Sequence, residues 1–266
     1  MEKQAEIGVF GGSGFYSIEG SESIIIDTPY GAPSDEITLA TMSGKNVAFL
    51  PRHGKKHTIP PHMINYRANL WAMKKLGVTR VIGPCAAGSL QAHVKPGDFV
   101  ICDQFVDRTN ARKDTFYDGP LTTHISTADP YCPEMRKLAI EKARKLGITV
   151  HETGTMVVIQ GPRFSTRSES RWYASQSFEV INMTGYPECV LARELGMCYV
   201  NISLITDYDA GLEGNPDIAP VTHEAVIEVF NKNNDKLRAL LHELIAALPE
   251  TPGCDCYKHV LDGRIG

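Results

Sequence analysis

VINMTGYPECVLARELGMCYVNISLITDYD, residues 180–209, carries the signals of a strand, a helix and a second strand in succession. The pattern predicts strands at 178–182 and 198–206 around a helix at 187–196. Pro187 suits a first helical position, where no backbone donor is needed, and Gly196 can take the left-handed conformation that ends a helix. Tyr199, Val200, Ile202, Leu204 and Ile205 make a nearly continuous apolar run, as expected of a strand covered on both faces. A βαβ unit of this kind sets Asn182-Met183-Thr184 and Asp207-Tyr208-Asp209 at the carboxyl ends of parallel strands, where open α/β sheets bind ligands.

Asp207 and Asp209 are one residue apart, so in extended chain both side chains leave one face, roughly 7 Å from each other. Such a pair can accept from two edges of one planar heterocycle, or bind a cation. An Asp-rich turn after a strand is the plain alternative. The rest of the chain has to separate these readings.

Working outward, the 266 residues are 42% hydrophobic and 22% charged, and no Pro/Gly/Ser linker divides them. That composition predicts one α/β domain, residues 1–248, and a short tail, 249–266. A net charge of -4 argues against a nucleic-acid partner. The first apolar run, residues 7–10, is too short for a signal peptide or a membrane span. A cytoplasmic protein working on small molecules, with no membrane partner, is therefore expected. Cys85, Cys102, Cys132, Cys189 and Cys198 stand at no framework spacing, which suits a reducing compartment. Cys254 and Cys256 form a C-x-C in the tail with His259 three residues on. Three soft donors fall one short of the usual metal site, so no metal is expected, and such a thiol pair reads as structural or redox-labile.

Several strand ends suit an anion. A strand at 6–10 runs into Gly11-Gly12-Ser13-Gly14, where glycines let backbone amides approach a ligand and a hydroxyl adds a donor. The spacing is neither GxGxxG nor a P-loop, so no dinucleotide or nucleoside triphosphate is indicated. A hairpin at 37–50, turning at Ser43-Gly44-Lys45, delivers Arg52 and His53, a donor fork and an imidazole suited to phosphate. After a helix at 65–75 and a strand at 78–82 comes Gly83-Pro84-Cys85-Ala86-Ala87-Gly88-Ser89, read as a second small-residue turn. Together these make an oxyanion cage.

The strand at 99–103 precedes a long loop, 108–130, expected to be a lid or an interface arm. A helix at 133–145 and a strand-like segment at 149–159, bent at Gly154, lead to Phe164, which could stack on a base or fill the core. The last helix, 221–248, has Thr222 as N-cap and His223 in its first turn, with a stripe from Val226, Ile227 and Phe230 to Leu244 and Ile245 expected in the core. The tail shows no clear element.

With these residues collected, the chain resembles the nucleoside phosphorylase family, most closely its methylthioadenosine phosphorylase branch. The carriers are GVFGGSGF (8–15), DTPYGAPSD (27–35), RHGKKHTIPPHMINYRANLWA (52–72), PGDFVICDQFVDRT (96–109) with TFYDG (115–119), GTMVVIQGPRFSTRSES (154–170) and the opening stretch through TDYD (206–209). The resemblance implies one α/β domain around a mixed sheet partly closed into a barrel, assembled as a trimer or hexamer. It implies phosphorolysis of a purine nucleoside with inversion at C1′, without metal or organic cofactor, phosphate being a co-substrate. By similarity Ser13, Arg52, His53, Cys85, Ala86 and Thr184 would hold phosphate. Met183 would line the ribose, and Phe164 and Ser165 would flank the base. Asp207 would act as the acid at N7, its pKa raised by burial beside a second carboxylate, and Asp209 would accept from the 6-amino group. His124 matches a position that a neighbouring subunit lends to the 5′ pocket.

Two positions depart from the branch. Cys85 stands where threonine is common, so backbone amides or water would replace a hydroxyl contact. His223 stands where an apolar residue usually meets the methylthio group, which makes adenosine, 5′-deoxyadenosine or methylthioinosine competing substrates. A nonenzymatic nucleoside-binding protein is the reading from another class, and a binder has no use for the phosphate cage.

Overall fold

The helix of the opening stretch forms as read, but the strand before it runs opposite to expectation. The computed structural model describes residues 4–11, 21–212 and 218–265. In chain order it comprises β1 (Ile7–Gly11), β2 (Glu22–Ile24), β3 (Ile37–Met42), β4 (Lys45–Pro51), α1 (Tyr66–Lys75), β5 (Arg80–Ser89), β6 (Phe99–Val100), β7 (Gln104–Arg108), β8 (Thr122–Thr123) and α2 (Pro133–Lys145). There follow β9 (Val150–His151), β10 (Thr155–Ile159), α3 (Arg167–Ser175), β11 (Val180–Asn182), α4 (Gly185–Glu194), β12 (Cys198–Asp207), α5 (His223–Ala247), α6 (Lys258–Asp262) and β13 (Arg264–Ile265).

Among the described residues, eleven strands form one mixed sheet organised around β5. One edge of β5 carries β12 in parallel from Arg80 to Gly88. The other edge is shared, because β1 pairs in parallel with Arg80–Ile82 and β11 pairs antiparallel with Gly88 and Ser89. From Gly83 to Ala87 no described strand covers that edge. The sheet also closes on itself. β12 pairs β6, β6 pairs β9, β7 pairs β10, β10 pairs β11 and β11 returns to β5. Since 99–108 and 150–159 are each one segment broken near its middle, the circuit is the barrel-like closure expected, with Gly154 at one of the breaks.

Three sequence expectations are corrected. β11 is antiparallel to β5 and hence to β12, so 180–209 is not a parallel βαβ unit; the ends of β11 and β12 still converge, because β11 meets only the last residues of β5. Residues 83–89, read as a turn, continue β5, with Pro84 tolerated where an edge needs no ladder donor. The tail is not featureless: it forms α6 and β13, and β13 pairs with β8 inside the long loop. That loop is also pinned in its first half, where Glu194 accepts from Thr115 Oγ1 (2.8 Å) and Phe116 N (2.7 Å).

Local rules explain the rest briefly. Ser43 (φ 52°) and Gly44 (φ 76°) make the two-residue left-handed turn that matches strand twist. Asn65 caps α1 by accepting from Ala68 N. In α4, Tyr186 is extended, so helical geometry begins at Pro187, and Gly196 closes the helix at φ 68°. Helices α1 and α4 pack in one apolar cluster, and α2 and α5 in a second. Only the later turns of α5 are core: Leu237, Leu240, Leu241, Leu244 and Ile245 are buried, whereas Val226 and Phe230 are half-buried and Ile227 is 44% exposed. Among the described residues no helix is long and apolar enough to cross a membrane.

Candidate active site

A cleft of about 1040 Å³ opens over the uncovered stretch of β5. Its floor is Pro84 to Gly88, and its walls come from the loop after β4, from Asn182-Met183-Thr184 after β11, from Asp207 and Asp209 after β12, and from the first turns of α5. The apolar residues at the start of α5 face this space, which is why the stripe continues beyond the core. Arg52, His53, Cys85, Ala86, Phe164, Met183, Thr184, Asp207, Asp209 and His223 all line it. Ser13 lies outside the described residues.

At one end the donors converge. Arg52 is buried, and its guanidinium is held on three sides: Nε and Nη2 donate to Glu188 (2.9 and 2.7 Å) and Nη1 to Pro84 O (3.0 Å). Burial works against the charge, but the Glu188 carboxylate more than offsets it and raises the Arg52 pKa. Glu188 is wholly buried and also accepts from Tyr199 Oη at 2.7 Å. This packing requires Gly83, since a Cβ there would run into Tyr199 Oη. The guanidinium that an anion would meet is therefore already paired, and the site offers oriented N–H groups more than net positive charge. Thr184 adds a buried hydroxyl at the start of α4, in a turn held by Asn182, whose Oδ1 accepts from Thr184 N and Gly185 N at 3.2 Å.

His53 contributes differently from the expectation. Ile59 O accepts from its Nδ1 at 2.8 Å, which fixes the tautomer and leaves Nε2 a lone pair in the neutral ring. Burial pushes its pKa down to about 4. To an anion in the cleft the neutral ring would offer an acceptor, not a donor. The Cys85 thiol turns toward Ser203 Oγ (3.5 Å) and Asn201 Nδ2 (3.4 Å).

At the other end sit the carboxylates. Asp207 Oδ2 accepts from Thr206 Oγ1 and Oδ1 from Asp209 N, both at 2.7 Å. Burial raises its pKa while those two bonds oppose the rise; Asp209 contributes its amide there, not the repulsion of a second carboxylate. Asp209 is 3% exposed and sits at φ 48°. Burial raises its pKa as well, with the Ser170 hydroxyl opposing the rise and the Asp207 carboxylate adding to it. Two atoms here lack a bond of good geometry: Asp209 Oδ2 and Ser165 Oγ are both buried without a hydrogen-bond partner. A buried acceptor beside a buried hydroxyl is what a ligand carrying both functions would satisfy. Gly88 is required next to them, because a Cβ would lie 2.8 Å from Asp207 Oδ1. Phe164 is 38% exposed at the cleft, not in the core.

His223 opens α5 under the Thr222 cap and lowers the pKa of His57, after burial. His124 is outside the cleft; its backbone N–H donates to Gly263 O at 2.9 Å beside the β8–β13 pair. Two residues escaped the sequence reading. Glu188 looks like an ordinary helical acid until the fold sets it against Arg52. Arg112 joins the walls, since its Nη2 donates to Gln160 O and Met183 O (3.0 Å each), its Nη1 to Tyr186 O, and its guanidinium covers the Tyr66 ring.

Comparison with known proteins places this cleft in context. The family model of the phosphorylase superfamily matches residues 6–246. S-methyl-5'-thioadenosine phosphorylase of Thermofilum pendens is 51% identical over 259 residues, 96% of this chain and 97% of that protein. Purine nucleoside phosphorylase of Streptomyces coelicolor is 49% identical over 262 residues, 95% of this chain and 92% of that protein. Among solved structures, methylthioadenosine phosphorylase of Schistosoma mansoni in complex with adenine superposes with a TM-score of 0.91 at 34% identity, covering 98% of this chain and 99% of that one.

Proposed function

The chain belongs to the phosphorylase superfamily, and from that membership and its cleft we propose that it cleaves 5′-methylthioadenosine with inorganic phosphate, releasing adenine and 5-methylthioribose 1-phosphate. The observation that carries this reading is one cleft with a carboxylate pair of raised proton affinity at one end and the Arg52–Thr184 donors at the other. Phosphate rests on the open edge of β5, on Thr184 and on the outer N–H groups of Arg52, with Ser13 adding its hydroxyl. The purine lies by Phe164 and Ser165, with Asp207 at N7 and Asp209 at the 6-amino group, and Met183 lines the ribose.

As the glycosidic bond stretches, negative charge gathers on the base and positive charge on C1′. A protonated Asp207 delivers its proton to N7, and burial is what keeps that proton available. The phosphate oxygen attacks C1′ from the face opposite the departing base. Glu188 matters electrostatically here. Because it neutralises Arg52, the phosphate dianion keeps most of its own field, which then stabilises the ribosyl cation. Asp209 favours a 6-amino over a 6-oxo purine, whose oxygen would face its carboxylate.

No metal or organic cofactor takes part in this scheme, and nucleic acid and membranes have no place in it. The protein acts in the cytoplasm as a trimer or hexamer, in which His124 completes the 5′ pocket of a neighbouring subunit. Mixing the protein with phosphate and each nucleoside, and following base release by chromatography, tests the reading. Methylthioadenosine should be cleaved only when phosphate is present. Cleavage without phosphate would make it a hydrolase, and faster turnover of inosine than adenosine would overturn the role of Asp209. Adenosine is the alternative main substrate, favoured by the polar ring of His223 at the cleft.

A further inference from the structure

The fold gathers four cysteines far from the cleft. Cys132 stands just before α2, Cys198 opens β12, and Cys254 and Cys256 come from the tail; their four sulfur atoms all lie within 4.8 Å of one another, and three of the residues are fully buried in the second apolar cluster or its edge. We propose that these four thiolates bind one zinc ion as a closed structural site. The tail alone offers a C-x-C and His259, which is one donor short; the fold supplies Cys132 and Cys198 instead, and His259 is not part of the group.

The spacing argues for a metal over disulfides. Cys254 Sγ is 3.6 Å from Cys132 Sγ and 3.3 Å from Cys198 Sγ. A zinc–sulfur bond of about 2.3 Å gives a tetrahedron with edges of about 3.8 Å, close to these separations, whereas a disulfide needs about 2.05 Å. One sulfur within reach of two others is the arrangement of a tetrahedral vertex, not of a pair. The surroundings fit an anionic centre as well. Zinc with four thiolates carries two net negative charges, which a buried site has to balance. Met135 N donates to Cys132 Sγ at 3.5 Å from the first turn of α2. Arg80 is in register with Cys198 across the β5–β12 ladder, so its side chain leaves the sheet on the same face. It is 2% exposed, its Nη2 donates to Pro249 O at 2.6 Å, and its Nε is buried without a hydrogen-bond partner. A buried cation with an unused donor is the counter-charge such a centre calls for.

The site would tie three distant segments together. It fastens the tail just before α6, and the tail then runs on to β13, which holds β8 and the backbone of His124. Zinc therefore steadies the arm that carries His124.

The test uses the full-length protein, purified without chelator and with a phosphine reductant. Elemental analysis should find one zinc per chain, released on titration with a mercurial that blocks thiols. After chelator stripping under reducing conditions, cobalt(II) should bind once per chain, with thiolate-to-cobalt charge-transfer bands and the intense visible bands of tetrahedral cobalt. Cys254→Ser/Cys256→Ser should lose both signals, while Cys189→Ser, outside the group, keeps them. Failure of the stripped, reduced wild-type protein to take up zinc or cobalt would overturn the site, whether or not the variants fold. So would a parallel preparation made without reductant that is metal-free and shows four fewer titratable thiols on denaturation, because the cysteines would then be two disulfides.

Discussion

Replacing Glu188 by glutamine tests how the anion end is balanced. The wild-type carboxylate is wholly buried and receives both Nε and Nη2 of Arg52. Breaking a buried ion pair by removing one partner costs about 3–5 kcal/mol, because a charge is left uncompensated. Glutamine keeps one acceptor but turns an amide N–H₂ toward the guanidinium, so a loss of about 3 kcal/mol is expected for Glu188→Gln. At about 2–4 °C per kcal/mol for a chain of this size, Tm should fall by roughly 6–12 °C in phosphate-free buffer. Phosphate should recover more stability in the variant than in the wild type, since the dianion now meets an unpaired cation. By the same argument the KM for phosphate should fall, and kcat should fall too, because Arg52 now draws on the phosphate charge that the ribosyl cation needs. Thermal melts with and without phosphate, together with initial rates of adenine release at varied phosphate, give all four quantities. A Tm within about 2 °C of wild type, or a phosphate KM that rises while kcat is unchanged, would refute the idea that Glu188 sets the charge of the site.

Asp207→Asn should lower kcat by about 10²- to 10⁴-fold, the range for a lost general acid, with much less effect on adenine affinity measured by calorimetry; equal losses in both would remove the acid role. Burial raises the Asp207 pKa, so its acid form is lost as pH rises through that raised value, and kcat should decline on the alkaline side in wild type and flatten in the variant. For His53 the sign is reversed: its pKa is lowered from 6.5 to about 4, so in that window the unfolded chain takes up a proton that the folded chain refuses. Phosphate-free Tm should therefore fall as pH drops through 6.5 toward 4, and His53→Gln should weaken that slope; an unchanged slope would place the loss elsewhere. His223→Val should raise the kcat/KM ratio of methylthioadenosine over adenosine by roughly tenfold, the worth of about 1.4 kcal/mol, and a constant ratio would put the side chain outside the 5′ pocket.

Local chemistry was legible from the chain, and long-range pairing was not. The Ser43-Gly44 turn, the Asn65–Lys75 helix, the Gly196 stop and the Thr222 cap follow from rules that act within a few residues. The direction of β11 is set by its meeting Gly88 and Ser89, about ninety residues away, and no periodicity records that choice. The same limit hid Glu188, which pairs with a residue 136 positions distant, and Arg112, which donates to backbone carbonyls after β10 and at the junction of β11 and α4. An apolar stripe likewise shows that a helix face avoids water without saying what it meets. On α5 the same stripe is core at Leu240 and cleft wall at Val226. The site residues read best where a single strand end carries them, as with Asp207 and Asp209 at the end of β12, and least well where a side chain had already spent its donor, as with His53 on Ile59.

The gap between β1 and β11 along one side of β5 has a consequence for how this protein tolerates change. Under the proposed function an anion at residues 83–87 would meet mostly main chain, so substitution there would be filtered more by bulk than by functional group. A thiol can occupy position 85 and point inward without emptying the site. Exchanges that alter specificity would then belong at the rim, around Phe164 and His223, where they leave the wiring of the sheet untouched.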